Sequence, residues 1–246
     1  MIFDQKRILI TGGSSGIGLM MAQMLASEGA QVVITGRSEE KLNTAAETHA
    51  NISSFVCDIA SEDDIVRLRD AMETSGGVDV LINNAGVIHL FNVLEAFPLN
   101  KQLQEIDIDI SGVVRMVHYF LPMLLKRESV LVNVSSGLAY VPYAAAPVYS
   151  ASKAFVHAYT ESLRVQLANT SVRVVELMPP VVDTPMADVL DPSFPRMAPE
   201  KLVTAFIKGI KNNVDEITPG QSAQLKILRR LAPAFIFKQI NKNVLS

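Results

Sequence analysis

Tyr149 and Lys153 stand four residues apart in Tyr149-Ser-Ala-Ser-Lys153, near the start of a stretch with helical periodicity. An i, i+4 pair shares one helix face, which brings a phenol close to an ammonium. A free tyrosine, with a pKa of about 10, moves protons poorly at neutral pH. A neighbouring cation favours the phenolate and lowers that value toward the working range. Taken alone, Tyr-x-x-x-Lys also describes two exposed helix residues. Its place in the chain favours chemistry. Thirteen residues upstream, Val132-Asn-Val-Ser135-Ser136-Gly137 closes an apolar run that reads as a strand. Its end lies at the carboxyl edge of a sheet, where α/β folds put their ligands.

The elements that must carry these residues follow from patterning. Short β-branched runs at Arg7–Thr11, Val32–Thr35, Ser54–Cys57, Val80–Ile82, Val130–Val134 and Val172–Leu177 alternate with amphipathic stretches. The helical patterns cover 17–28, 39–49, 61–74, 100–126 and 148–168, and a helix near 199–211 and a short strand near 215–218 complete the series. Nearly continuous apolar strands imply a sheet covered on both faces. Strict β/α alternation implies parallel strands with right-handed crossovers. The expectation is one α/β domain over 1–246: a doubly wound, seven-stranded, mostly parallel sheet flanked by helices. The proline-punctuated segment 185–200 suits a lid over a site.

The first strand runs into Thr11-Gly12-Gly13-Ser14-Ser15-Gly16-Ile17-Gly18 and then directly into a helix. Glycines let the backbone turn tightly and approach a pyrophosphate, while the helix start offers free N–H groups and a favourable dipole. A glycine-rich turn alone is a weak signal, but strand–turn–helix context meets the requirement of a Rossmann-type dinucleotide site. At the end of the second strand, an acid would receive a ribose 2′-hydroxyl. The chain has Gly36-Arg37-Ser38 there instead. Arg37 can pair with a 2′-phosphate, so NADP is expected over NAD. The other reading of Arg37 is an ordinary surface arginine.

With Asn83-Asn84-Ala85-Gly86 and Cys57-Asp58-Ile59 added at the ends of two more strands, the motif series resembles the short-chain dehydrogenase/reductase family. The resemblance spans roughly residues 6–185 and, less specifically, continues to about 218. It implies an oxidoreductase that interconverts a carbonyl and an alcohol by hydride transfer. Tyr149 would be the general acid or base, and Lys153 would lower its pKa and hold the nicotinamide ribose. Ser136, rather than Ser135, would hydrogen-bond the substrate oxygen. Gly12, Ser14, Ser15, Gly16, Ile17 and Gly18 would hold the pyrophosphate, with Asp58 and Ile59 framing the adenine. Asn84, Ala85 and Gly86 would pack along the cofactor, and Asn83 would brace the central strands. Val182 and Thr184, with Pro179 beside them, match positions that contact the nicotinamide carboxamide. The sequence departs from the family twice. Asp109 stands where a relay asparagine is usual: it either pairs with Lys153 and competes with its effect on Tyr149, or is tolerated as a near-isostere. Met178-Pro179-Pro180 replaces a commoner Pro-Gly and stiffens that corner. The latter segment and 136–142 resemble the DltE-like branch, often linked with cell-envelope D-alanylation genes. A cofactor-binding regulatory or envelope-associated homologue with weak or no turnover is the alternative this leaves.

Leu138, Tyr140, Tyr143, Met186, Val189, Leu190, Phe194 and Met197 fall in loops expected around the substrate. Such a lining favours a small to medium apolar carbonyl or alcohol, though each residue singly can equally close the lid onto the core. His89 either touches substrate or is an exposed loop histidine. His118 and His157 show no metal-ligand grouping, and no metal is expected. A net charge of −3 argues against a nucleic-acid partner. One cysteine, Cys57, permits no intrachain disulfide and suits a reducing compartment. The first residues reach glycines too early for a signal peptide, and Val113–Leu125 is too short to span a bilayer. A cytoplasmic location is expected. The tail 222–246 sets Lys226, Arg229, Arg230, Lys238 and Lys242 among Leu225, Leu228, Leu231, Phe235, Ile236 and Phe237. It packs on the domain, docks a partner or touches an anionic membrane. The two long helices resemble the family's subunit interface and imply a homodimer or homotetramer.

Overall fold

Ile8 and Ile10 point to one face of the first strand and Leu9 to the other, and all three are buried. That alternation needs a hydrophobic layer on each side. The computed structural model, which describes residues 3–244, supplies both. The strands are β1 (Arg7–Thr11), β2 (Gln31–Gly36), β3 (Ile52–Val56), β4 (Val80–Asn83), β5 (Ser129–Val134), β6 (Val172–Leu177) and β7 (Glu216–Ile217). They form one sheet in the order β3-β2-β1-β4-β5-β6-β7, and every pairing is parallel. The mostly parallel sheet of the sequence reading is wholly parallel.

The helices are α1 (Gly16–Ser27), α2 (Glu39–Ala46), α3 (Glu62–Thr74), α4 (Leu99–Ile106), α5 (Val113–Leu124), α6 (Pro147–Gln166), α7 (Pro199–Lys211), α8 (Gln221–Leu231) and α9 (Pro233–Ile240). Met21 and Leu25 of α1 pack with Leu202 and Phe206 of α7 on the Ile8/Ile10 face. On the Leu9 face lie Ile65 and Leu68 of α3, Met116 and Phe120 of α5, and Leu163 of α6. Phe120 is fully buried, a burial that stabilises by roughly 2–3 kcal/mol.

Two features of this frame place the site. β1 pairs with β2 on one side and β4 on the other, so the chain reverses direction across the sheet between them. In parallel sheets the crevice outside that switch receives the ligand. The second feature corrects an expectation. The stretch 100–126 is not one α-helix: a π-turn, Asp107–Gly112, separates α4 from α5. The wider turn adds a residue to the local repeat, as often happens at functional sites, and carries Asp109 into the interior.

Candidate active site

The glycine loop is shaped by contacts that no side chain permits. Gly12 has φ +67°, and a Cβ on it would lie 2.8 Å from the Ala85 Cα. Gly16 also adopts positive φ, +55°. Between them, Ser15 caps α1 only by position: its side chain makes no capping hydrogen bond, and the first turn holds no acid. The amide donors at this helix start therefore have no capping side chain among the described residues, as an anion site requires. Gly12, Ser14, Ser15, Gly16 and Ile17 line a cavity of about 370 Å³ that continues past Arg37, Asp58, Ile59, Asn84, Ala85 and Gly86 to Pro179, Val182 and Thr184. The donor set fits a dinucleotide: free amides for a pyrophosphate, a cation at the β2 end, and apolar walls.

Several expected residues act through the scaffold. Gly18 is buried, and a Cβ there would collide with the Gly12 carbonyl. Asn84 is latched inward, its Nδ2 donating to the Thr11 and Gly12 carbonyls at 2.9 and 3.2 Å. Asp58 borders the cavity, yet its Oδ1 accepts from the Ala60 N–H at 3.0 Å, so it is also a turn residue. Asn83 donates to Asn133 at 2.9 Å, bracing β4 against β5. Cys57 is buried, and burial followed by the charges of Asp64 and Asp58 pushes its thiol up to about 12. A thiol so protonated is no nucleophile.

At the other end of the cavity, α6 presents Tyr149 and Lys153 on one face, opposite Ser136 beyond the end of β5. The Lys153 ammonium lies 5.4 Å from the Tyr149 ring centroid. Its Nζ donates to the Val134 carbonyl at 3.4 Å and stands 3.5 Å from Asp109 Oδ2. The floor beneath is Gly86, where a Cβ would sit 3.2 Å from that Nζ. Asp109 itself does not line the cavity. It is fully buried under Lys153, with Oδ1 accepting from the Val87 N–H at 2.9 Å.

These charges revise one expectation. Burial raises the Tyr149 pKa more than Lys153 lowers it; Asp109 and Glu105 add to the rise, and Ser136 joins Lys153 in opposing it. The phenol is held above its ordinary value. Burial likewise pushes the Asp109 carboxyl up, against Lys153 and the Val87 N–H. Lys153 is desolvated too, yet Asp109, Tyr149 and Glu105 together outweigh that and hold it charged. Several acidic groups thus surround one cation, and the protons they retain belong to the cluster.

Glu105, one turn before Asp109, was not singled out by the sequence. It is fully buried, with Oε2 3.2 Å from His89 Nδ1 and Oε1 unpartnered among the described residues. His89, the loop residue whose role was open, thus faces a buried acid. Burial, then Asp109, raises the Glu105 carboxyl from 4.5 to about 8. A raised carboxyl pKa means the folded state holds a proton that the unfolded chain has released. The associated stability is present below about pH 4.5 and is lost as pH rises through about 8. Glu105→Gln removes the ionisation. The variant should gain roughly 3–4 kcal/mol over the wild type between pH 5 and pH 8, seen as a Tm difference that grows with pH. A difference that does not vary with pH would refute it.

The remaining walls are apolar. Leu138, Tyr143, Met186, Leu190 and Phe194 line the cavity as expected, with Tyr143 and Phe194 in edge contact at 5.5 Å. Tyr140, Val189 and Met197 do not. Tyr140 turns away to donate to Glu216 and meets the His157 ring at 5.2 Å. Val189 is exposed, and Met197 forms a backbone bridge with Val182 and packs against the core. Leu225 of α8 and Ile240 of α9 close the cavity in their place. Behind Ser136, a fully buried Glu176 accepts from Ser135 at 2.5 Å and meets His157 at 2.9 Å. That contact with Glu176, partly offset by burial, raises the His157 pKa. Ser135 is thereby committed to the scaffold, which leaves Ser136 facing the cavity.

Comparison with known proteins agrees with this architecture. The family model for short chain dehydrogenase matches residues 6–193. An "uncharacterized oxidoreductase DltE" of Bacillus subtilis is 36% identical over 248 residues, covering 98% of each chain. An uncharacterized oxidoreductase of Staphylococcus aureus is 31% identical, covering 88% of this chain and 97% of its own. Among solved structures, a short chain dehydrogenase from Burkholderia cenocepacia in complex with NADP superposes with a TM-score of 0.87 at 25% identity, over 98% of this chain and 99% of that one. A 3-ketoacyl-(acyl-carrier-protein) reductase from Brucella melitensis complexed with NADH gives 0.81 at 28%, over 89% and 99%. The chain belongs to the short-chain dehydrogenase family of oxidoreductases, in its DltE-like branch.

Proposed function

We propose that this protein is an NADP(H)-dependent oxidoreductase that reduces an apolar carbonyl to an alcohol, with Tyr149 as the proton donor. The observation that carries the reading is the convergence of Tyr149, Lys153 and Ser136 on one end of a cavity whose other end is the uncapped start of α1. When bound, the cofactor supplies the hydride. Gly12, Ser14, Ser15, Gly16, Ile17 and Arg37 would hold its phosphates, with Gly18 keeping the turn tight behind them, Asp58 and Ile59 its adenine, Asn84 to Gly86 its middle, and Pro179, Val182 and Thr184 its nicotinamide end, with Tyr149 and Lys153 beside the ribose. Ser136 Oγ donates to the substrate oxygen and fixes it against the phenol. Tyr149 delivers the proton to that oxygen, and Lys153 stabilises the phenolate left behind. The raised Tyr149 pKa favours reduction, because the phenol enters the step protonated. Apolar side chains Leu138, Met186, Leu190, Phe194, Leu225 and Ile240 select an uncharged substrate. Exposed Leu125, Phe155 and Val165 on α5, α6 and their ends support a self-associating chain.

Cofactor choice rests on Arg37. It is exposed at the cavity rim and forms no ion pair among the described residues, and the β2 end carries no acid until Glu39. Turnover of NADPH against a panel of ketones and aldehydes tests the reaction. In the same assay, Arg37→Ala should raise KM for NADPH on the order of 10-fold or more while leaving KM for NADH nearly unchanged. Equal KM values for the two cofactors in the wild type would remove the NADP assignment.

A further inference from the structure

The last thirty residues have a charge pattern unlike the rest of the chain. Positions 217–246 contain five Lys or Arg and no Asp or Glu, while 1–216 carry seventeen Lys or Arg against twenty-five Asp or Glu. The segment folds as α8 and α9, joined at Ala232, with Pro233 starting α9. Each helix has a distinct inner side. Ser222 and Leu225 face the turn after Ser136, where a Cβ on Gly137 would meet both, and Ile236 and Asn241 are buried. Asn241 locks the pair down, its Oδ1 accepting from the Ala144 N–H at 2.6 Å and its Nδ2 donating to the Pro142 carbonyl at 3.0 Å. Tail residues expected either to pack or to face outward therefore do both, on opposite sides.

The outer side carries Ile227, Leu231 and Phe235, which are 58%, 75% and 60% exposed. Among them stand Arg229, Arg230 and Lys238, all exposed and without an ion pair or hydrogen bond to any described residue. Of the other two cations, Lys226 pairs with Glu216 at 2.7 Å, and Lys242 lies near enough to Asp191 to lower its pKa slightly. Large apolar side chains mixed with free cations and no acid match a headgroup–acyl boundary bearing negative charge. An acidic chain elsewhere is repelled by the same surface, so this face alone would orient toward it. No helix among the described residues is long and apolar enough to cross a membrane.

We propose that the outer face of α8 and α9 docks the protein peripherally on an anionic lipid bilayer. The inner face of the same pair supplies Leu225 and Ile240 to the cavity wall, so docking sets the cavity one helix layer from the lipid. The docking itself does not depend on the catalytic reading.

The test is co-sedimentation of the full chain with vesicles of phosphatidylcholine alone or with about 30% phosphatidylglycerol, at low salt and at about 0.5 M salt. The wild type should bind the anionic vesicles, not the neutral ones, and should release at high salt. The triple variant R229Q/R230Q/K238Q should bind on the order of 100-fold more weakly. The triple variant I227S/L231S/F235S should lose binding as well, while circular dichroism and sedimentation velocity stay those of the wild type. No binding by the wild type, or equal binding to both vesicle types, would overturn the proposal. So would a fall in oligomer mass in the apolar variant, which would assign the face to a second copy of the chain. The wild-type comparison of lipids and salt decides the matter even where a variant folds poorly.

Discussion

Tyr149→Phe should lower kcat for carbonyl reduction by roughly 10²–10⁴-fold and leave NADPH binding within about threefold of the wild type, because uniform binding is lost only where contacts are lost. The substitution is nearly isosteric. It keeps the ring that packs 5.4 Å from the Lys153 ammonium and removes only the oxygen that would carry the proton. Lys153 keeps its contacts with Asp109 and the Val134 carbonyl, so the site should hold its shape. Cofactor binding read by fluorescence titration, beside steady-state turnover, separates lost chemistry from lost binding. A variant with wild-type kcat would end the assignment of Tyr149 as proton donor. A wild type that binds NADPH but turns over no carbonyl in the panel would favour the reading of a cofactor-binding homologue.

The alternation of strands and helices, the glycine turn between β1 and α1, and the shared helix face of Tyr149 and Lys153 were legible because each is a local pattern. β1 is a short apolar run, the glycine loop follows it directly, and Tyr149 and Lys153 stand about one turn apart on one helix. Such signals depend only on near neighbours along the chain. What escaped the sequence depends on contacts across it. Leu225 and Ile240 reach the cavity from a tail that Asn241 ties to backbone near Pro142, about a hundred residues earlier. Tyr140 was misplaced for the converse reason: its partner Glu216 arrives from the last strand and draws the ring outward. Glu176 could have been noticed as the one acid in a β-branched strand run, and Glu105 as the first of the alternating acids in the helical stretch that leads to Asp109. Burying a carboxylate is costly unless it is paired or protonated. Even then, their partners Ser135, His157 and His89 are identifiable only in the folded chain.

The effect of Asp109 also lay beyond sequence reasoning, since it turns on burial. A solvated aspartate would be screened from Lys153 and Tyr149, whereas one with no exposed surface acts at low dielectric. Two substitutions separate its charge from its shape. Asp109→Asn keeps an acceptor for the Val87 N–H and removes the anion. Because Asp109 raises the Tyr149 pKa, its neutralisation should lower that pKa. For alcohol oxidation, which needs the phenolate, the rising limb of kcat against pH should move to lower pH. Both substitutions leave the buried Lys153 without its nearest counter-charge, a loss of about 3–5 kcal/mol. Asp109→Ala also deletes the acceptor and leaves the Val87 N–H unpaired, so chemical denaturation should find the alanine variant less stable than the asparagine variant by a further ~1–3 kcal/mol. If Asp109→Asn left the pH profile in place, the carboxylate would be serving as a hydrogen-bond acceptor alone. Tyr149 would then owe its raised pKa to burial rather than to the charge beneath Lys153.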